Sequence, residues 1–273
     1  MGKVCFLGEA IHGVAEFTTY KHDWLRNQRP EEWIIVFEAD HIGMLNSVAN
    51  DEPAYQILQN FPKVHRTQEM LMLLEYLIEK KIPYYGADVV TRNKIAKFHG
   101  DMLVPRQIQA EQEGLFYSQA DPFTLRDSYM AKVIANVASN HPHKNIAGFF
   151  HNGHIKKHGS KEIGKFKLRD TAEVLFADHQ IPSYSTGLFA AQGNMLHNIF
   201  TPRNFNNIAD TEVIESLAKP DSSPLIIKDK ETMGNLAAYH HAFEKENLPV
   251  AWQYDECVIF HTATTPTLVK EAL

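Results

Sequence analysis

The chain has 273 residues, 44% of them hydrophobic, with 27 lysines and arginines against 33 acidic residues for a formal net charge of −6. No apolar run approaches the ~20 residues of a membrane span and no basic stripe could track a phosphate backbone, so neither a membrane nor a nucleic acid is an expected partner. Its two cysteines, Cys5 and Cys257, lie inside apolar runs, and the N-terminus lacks the basic, apolar, small pattern of a secretory leader, which predicts a reduced, cytoplasmic setting.

In chain order, six short runs read as strands: KVCFLGE (3–9), WIIVFEA (33–39), IPYYGAD (82–88), NIAGFFH (145–151), SYSTGLF (183–189) and CVIFH (257–261). Several are nearly continuous apolar runs, as strands covered on both faces should be. Helical patterns lie between them. In 67–80, Met70, Leu71, Leu74, Leu77 and Ile78 follow the spacing of one helix face, and Pro83 closes the segment. The polar stretch 91–121 reads as helix with exposed faces, and a second helix over about 123–139 follows Asp121-Pro122, where Asp can cap and Pro can enter the first turn. Together, 91–140 are expected to form a helical cap or lid within a single domain spanning 1–273. AKPDSSP (218–224) is a turn-rich loop. Strands alternating with helices predict a layered α/β fold.

Ionisable residues stand at the ends of these runs. Glu9 and His12 follow the first, Glu38 with Asp40 and His41 the second, Asp88 the third, and His151 with His154 the fourth. Because open α/β sheets bind ligands beyond the carboxyl ends of their strands, these groups should converge in one pocket. Each also has a structural reading. Glu9 can cap the following helix, Asp40 and His41 can sit in a solvated turn, and 151–158 can be an ordinary basic loop. Gly8 and Gly13 favour a tight strand-to-helix turn that throws His12 into the cleft, and Asn152-Gly153 a sharp turn that brings His151 and His154 to one side. Of the 15 histidines, His22, His65, His99, His141, His143, His158, His179 and His197 lie in polar surroundings and read as surface residues.

FLGEAIHGVAEFTTYKHDWL, FEADH, HRTQEMLMLLEYLIEKKIPYYGAD, LRDSYMAKVIANV, FFHNGHI, YSTGLFAAQGN and YDECVIFHTATTP resemble, in order, blocks of the erythromycin esterase family. The resemblance implies a three-layer α/β/α sandwich with a mixed, largely parallel sheet. It also implies metal-independent hydrolysis of a lactone ester by water that a histidine activates, with no cofactor. His12 matches the family's essential base, and Glu9, Glu38, His151 and His154 match residues lining the same cleft. Two departures stand out: Val133 replaces the Asn that commonly closes the Arg126-Asp127-x-x-Met130-Ala131 block, and the chain starts at the first strand and is shorter than longer members. With only 91–140 and 195–235 to enclose a ligand, the expected substrate is a smaller ester or lactone rather than a macrolide.

Chemically, His12 is the natural base, and Glu9 or Glu38 can accept its second N–H. His151 or His154, with Lys21 or Arg126, can donate to a developing oxyanion, and Asp88 belongs to the same cleft. No Gly-x-Ser-x-Gly elbow is present, which disfavours a serine nucleophile. Two other readings remain open: a zinc hydrolase that uses His12, His151, His154 and Glu9 or Glu38 as ligands, and a non-enzymatic protein that binds a small molecule or haem.

Overall fold

Alternate residues of the first strand enter different cores: Val4 and Phe6 pack on one side of the sheet, Cys5 and Leu7 on the other. The computed structural model describes residues 2–89, 122–164, 167–196, 201–220 and 224–270. The same two-sided burial recurs in the second strand, with Ile34 and Val36 against Trp33, Ile35 and Phe37. This period of two is why these segments read as unbroken apolar runs.

The strands are β1 Val4–Leu7, β2 Trp33–Asp40, β3 Tyr84–Asp88, β4 Asn145–Phe149, β5 Ser183–Leu196, β6 Pro202–Asn206, β7 Leu225–Ile227, and, after a small hairpin of β8 Tyr239–His240 and β9 Glu244–Lys245, β10 Glu256–Ala263. The main sheet runs β3-β2-β4-β1-β5-β10-β7, with β6 paired to β5. From β3 to β10 all neighbours are parallel; β7 on β10 and β6 on β5 are antiparallel. The sheet is therefore mixed and largely parallel. All six predicted strands form, but β5 runs on to Leu196 instead of ending near Phe189. Its second half pairs with β6 on one edge and β10 on the other, a tertiary supply of ladder bonds that overrides the turn-like Gln192-Gly193-Asn194.

Helices cover both faces. On one, α1 Ala15–Arg26 meets α4 Gln68–Glu79; the single-turn α3 Ala54–Ile57 packs in the same core, and α2 His41–Ala49 follows β2 directly. On the other lie α5 Pro122–Asn140 and α6 Thr171–His179. Thr67 caps α4 by accepting the Met70 N–H at 3.2 Å. The buried stripe of α4 is Met70, Leu73, Leu74 and Leu77, whereas Ile78, expected inside, is 41% exposed. Of the expected cap, residues 90–121 lie outside the described residues. Pro122–Asn140 is instead a layer helix: Met130, Ala131, Ile134 and Val137 are buried in one core with Val4, Phe6, Ile34 and Val36. Within AKPDSSP, residues 221–223 also lie outside the description. Among the described residues no helix is long and apolar enough to cross a membrane, and both cysteines are free thiols.

Candidate active site

The parallel strands end on one edge, and two glycines let the chain turn there. A Cβ on Gly8 would meet the Asn152 Oδ1 at 2.2 Å, so glycine leaves the side chains of the loop after β4 room to close on the end of β1. Gly13 has φ +70°, and a Cβ there would lie 2.5 Å from the Leu196 carbonyl oxygen. Between them Glu9 points into a buried polar cluster. Its Oε1 lies 2.9 Å from Nδ1 of His12 and 3.5 Å from Nε2 of His65, and its Oε2 accepts from Nζ of buried Lys21 at 2.8 Å. Burial alone would raise the Glu9 carboxyl, but Lys21, then His65 and His12, outweigh it and hold it below the usual carboxylate range. An ionised carboxylate only accepts hydrogen bonds, so His12 carries its proton on Nδ1 and keeps a lone pair on Nε2.

Glu38 and Arg126 form a second cluster. Arg126 bonds Asp88 through Nε at 2.7 Å and Nη2 at 2.7 Å, and Glu38 through Nη2 at 2.6 Å. The other Glu38 oxygen accepts the backbone N–H of His151 at 2.7 Å. His154 stands between two carboxylates, Nδ1 2.8 Å from Asp127 and Nε2 3.3 Å from Glu38, with Nη1 of Arg126 3.1 Å from the same Nε2. Asp127 is itself fixed by the Thr171 N–H at 2.7 Å and hydroxyl at 2.6 Å. Burial opposes a charge on His154, yet Asp127 and Glu38 raise its pKa to about 10. Burial would likewise raise Glu38, but His154 and Arg126 hold it well below the ordinary range.

Between the clusters lies a stack of imidazoles. The His151 ring is 4.6 Å from that of His12, 4.6 Å from His241 and 4.9 Å from His240, centroid to centroid. His151 accepts the Gly153 N–H on Nδ1 at 3.0 Å, so its Nε2 is protonated and faces the Ala10 carbonyl at 3.2 Å. Burial, then His12, His241 and His240, push its pKa well down and keep it neutral. For the same reasons His241 falls to about 3, and burial takes His65 to about 4.

Glu9, Lys21, Glu38, His65 and His151 line one cavity, and His12 adjoins it through its contacts with Glu9 and His151. His154, Asp88 and Arg126 stand behind Glu38. The four expected oxyanion donors each already have a partner: Lys21 has Glu9, Arg126 has Asp88 and Glu38, His151 has the Ala10 carbonyl, and His154 has Asp127. Asp40 and His41 are structural, as one reading had it, but buried instead of solvated: Asp40 caps α2 through the Gly43 N–H at 3.0 Å, and His41 Nδ1 lies 2.8 Å from the Tyr129 hydroxyl. The zinc set does not assemble among the described residues, because Nδ1 of His154 faces Asp127, its Nε2 faces Glu38 and Arg126, and both ring nitrogens of His151 face backbone. Ring nitrogens of His12, His151 and His241, and the donor atoms of Glu9, His12 and His65, do come within 4.8 Å of one another. In each set some of these atoms already bond within the site, His151 to backbone and Glu9 to Lys21 and His12.

The surface reading of the histidines needs correction. His143 is exposed, but His22, His65, His141, His158 and His179 are half-buried, and His99 and His197 lie outside the described residues. His65 belongs to the site, on a short 3-10 turn, Lys63–His65. His240 and His241, which the strand-end rule does not reach, come from the β8–β9 hairpin. The doubled His in AAYHHAF was the signal for them.

Among solved structures, the chain superposes on the erythromycin esterase EreC, a histidine-to-asparagine variant in its open conformation, with TM-score 0.70 and 12% identity over 98% of this chain and 93% of that one. The fold is erythromycin esterase-like. A succinoglycan biosynthesis protein matches with TM-score 0.77 at 13% identity, and a Bacillus cereus protein with 0.71 at 14%, each covering 98% of this chain and 90% of its own. In sequence, no protein-family model and no curated protein matches the chain. The relationship is therefore one of fold.

Proposed function

We propose that this protein is a hydrolase that cleaves an ester or lactone with water activated by His12 and needs no metal. The carrying observation is the Glu9–His12 pair on an esterase-like fold. Glu9 fixes the Nδ1–H tautomer and stabilises the imidazolium that forms when Nε2 takes a proton from water, while Lys21 fixes Glu9. His12 keeps 19% of its side chain exposed, so substrate and water can reach it. His241, kept neutral by burial and by its charged-form conflict with His12 and His240, offers an N–H to the oxyanion that develops on the carbonyl. Arg126 with Glu38, Asp88, His154 and Asp127 forms the rigid floor that holds the His151 backbone. Histidine and carboxylate walls suit a small, polar ester or lactone better than a macrolactone, which needs extensive apolar enclosure.

The test is a panel of esters and lactones incubated with the purified protein, with and without chelator. Turnover that survives chelation supports the reading. Turnover lost on chelation and restored by zinc selects the metalloenzyme, and tight binding without turnover of any ester selects a binding protein.

A further inference from the structure

Away from the cleft, a cavity of about 280 Å³ opens where α2 and α4 end beside the start of β3. It shares no lining residue with the cavity of Glu9 and His151. Its lining is apolar at depth, with buried Leu77 and Ile82, and remains apolar toward solvent, where Val48 and Ile78 are 47% and 41% exposed. The outward turn of Ile78, against the spacing of its helix, thus supplies a wall of this cavity.

The two helices end here in the same way. After α2 the Glu52 N–H reaches back to the Ser47 carbonyl at 3.0 Å and the Asp51 N–H to that of Val48 at 3.2 Å. After α4 the Ile82 N–H reaches Leu77 at 2.9 Å and the Lys81 N–H reaches Ile78 at 3.1 Å. These are the paired bonds of a common helix ending whose left-handed residue is usually glycine. Here that residue is Asp51, at φ +51°, and Lys81, at φ +54°. Each helix end therefore sets a charged side chain on the rim at a cost in backbone strain. Glu52 also lines the cavity, with Oε2 accepting the Ser47 hydroxyl at 2.6 Å. Two carboxylates against one ammonium, together with the negative ends of two helix dipoles, make the mouth a place for positive charge. Tyr84 lies in that field: burial first, then Asp51 and Glu52, push its phenol pKa up.

We propose that this cavity is a binding site for a small amphipathic ammonium ion, a protonated amine that carries one ring or a short alkyl chain. The apolar part rests on Leu77, Ile78 and Ile82, and the charged end turns to Asp51 and Glu52. The volume stands just below the ~300–1,000 Å³ of drug-sized pockets, which suits a single ring and is too small for a macrolactone. The site is independent of the hydrolase reading and of His12.

Calorimetric titration of the full chain with phenethylammonium, phenethyl alcohol and phenylpropionate, alike in size and different in charge, tests this. The ammonium should bind saturably at one site, the alcohol more weakly and the carboxylate least. Asp51→Gly relieves the left-handed backbone, so it should raise the urea midpoint while weakening the ammonium about 3-fold. Lys81→Gly should also raise the midpoint but tighten the ammonium by a similar factor. Side chains that serve the helix ends alone would shift the midpoint and leave binding where it was, and that result would overturn the proposal. Val48→Lys, at an exposed wall position, tethers an ammonium in the mouth and should abolish binding with the midpoint unchanged. Ammonium binding that survives Val48→Lys lies elsewhere and overturns the site. Equal binding of the three probes, stronger binding of the carboxylate, or no saturable binding of the ammonium would overturn it as well.

Discussion

Glu9 follows a parallel strand and Glu38 lies near the end of another, and both carboxylates bind a cation, yet they are built for different ends. Beside Glu9, Nε2 of His12 has no hydrogen-bond partner among the described residues and a fifth of the side chain is exposed; around Glu38, Arg126, Asp88, His154 and Asp127 bond mainly to one another. Ionisable residues at strand ends thus come in two kinds, and what separates them is whether an atom is left with a lone pair facing solvent. The first kind can do chemistry, and the second sets the geometry in which chemistry is done.

The sharpest way to break that contrast is to substitute one residue from each cluster. His12→Asn should cut turnover about 10²–10⁴-fold with no change in the urea midpoint, because a general base is removed from a partly exposed position. Arg126→Met should do the reverse in kind. It takes the guanidinium from Asp88, at 3% side-chain exposure, and leaves Glu38 only His154 as its cation, and should destabilise the fold by about 3 kcal/mol in urea unfolding. Similar stability losses in both variants would show that the two clusters are one unit.

A smaller effect separates the clusters by pH. His154 titrates at about 10 in the folded state, above the ordinary 6.5, so the folded chain holds a proton the unfolded chain releases. Its contribution is complete below about pH 6.5 and is lost as pH rises through about 10. His65 is shifted the other way, to about 4, so between about pH 4 and 6.5 the unfolded chain binds more protons and stability falls on acidification. Thermal melts across pH should therefore lose their alkaline slope in His154→Asn and part of their acid slope in His65→Asn. A swap of those two outcomes would mean that the charges are assigned to the wrong cluster.

The smallest expected effects calibrate the others. His143→Asn, on the exposed side of the molecule, should change neither rate nor stability. Erythromycin incubated with the protein should show no ring opening by mass spectrometry under conditions that hydrolyse a small ester. Rapid His12-dependent opening would show that the polar wall is no barrier to a macrolactone.

Much of this arrangement could be read from sequence because two-sided burial leaves a plain mark. Ile34 to Phe37 and Ile146 to Phe149 are apolar without interruption for the reason that both faces are covered, and the residues after them therefore stand at the edge where ligands bind. Glu9, His12, Glu38, Asp88, His151 and His154 are placed at that edge by this reasoning. The helix α4 was placed but its stripe was misjudged, because Leu71 and Leu74 share an apolar spacing with Met70 and Leu77 that sequence cannot orient; the core selects Leu73 over Ile78. His65, His240 and His241 escaped for a different reason. They ride on a 3-10 turn and a hairpin of two-residue strands, elements too short to have a period. That Lys21 and Arg126 are engaged by carboxylates depends on contacts between residues 12 and 88 positions apart, which no local pattern carries.

The carbonyl of Ala10 accepts from two directions at once, the Nε2–H of His151 at 3.2 Å and the backbone N–H of His241 at 2.9 Å. Through it the loop after β1, the loop after β4 and the hairpin are tied together. Its owner is an alanine, 2% exposed, with a methyl group that takes no part. A scan that replaces each residue by alanine would pass over this position without a mark, and a comparison of side-chain types would count it as filler. The information that registers three separate pieces of the chain against one another is carried at residue 10 by the main chain, in a form that side-chain mutagenesis does not read.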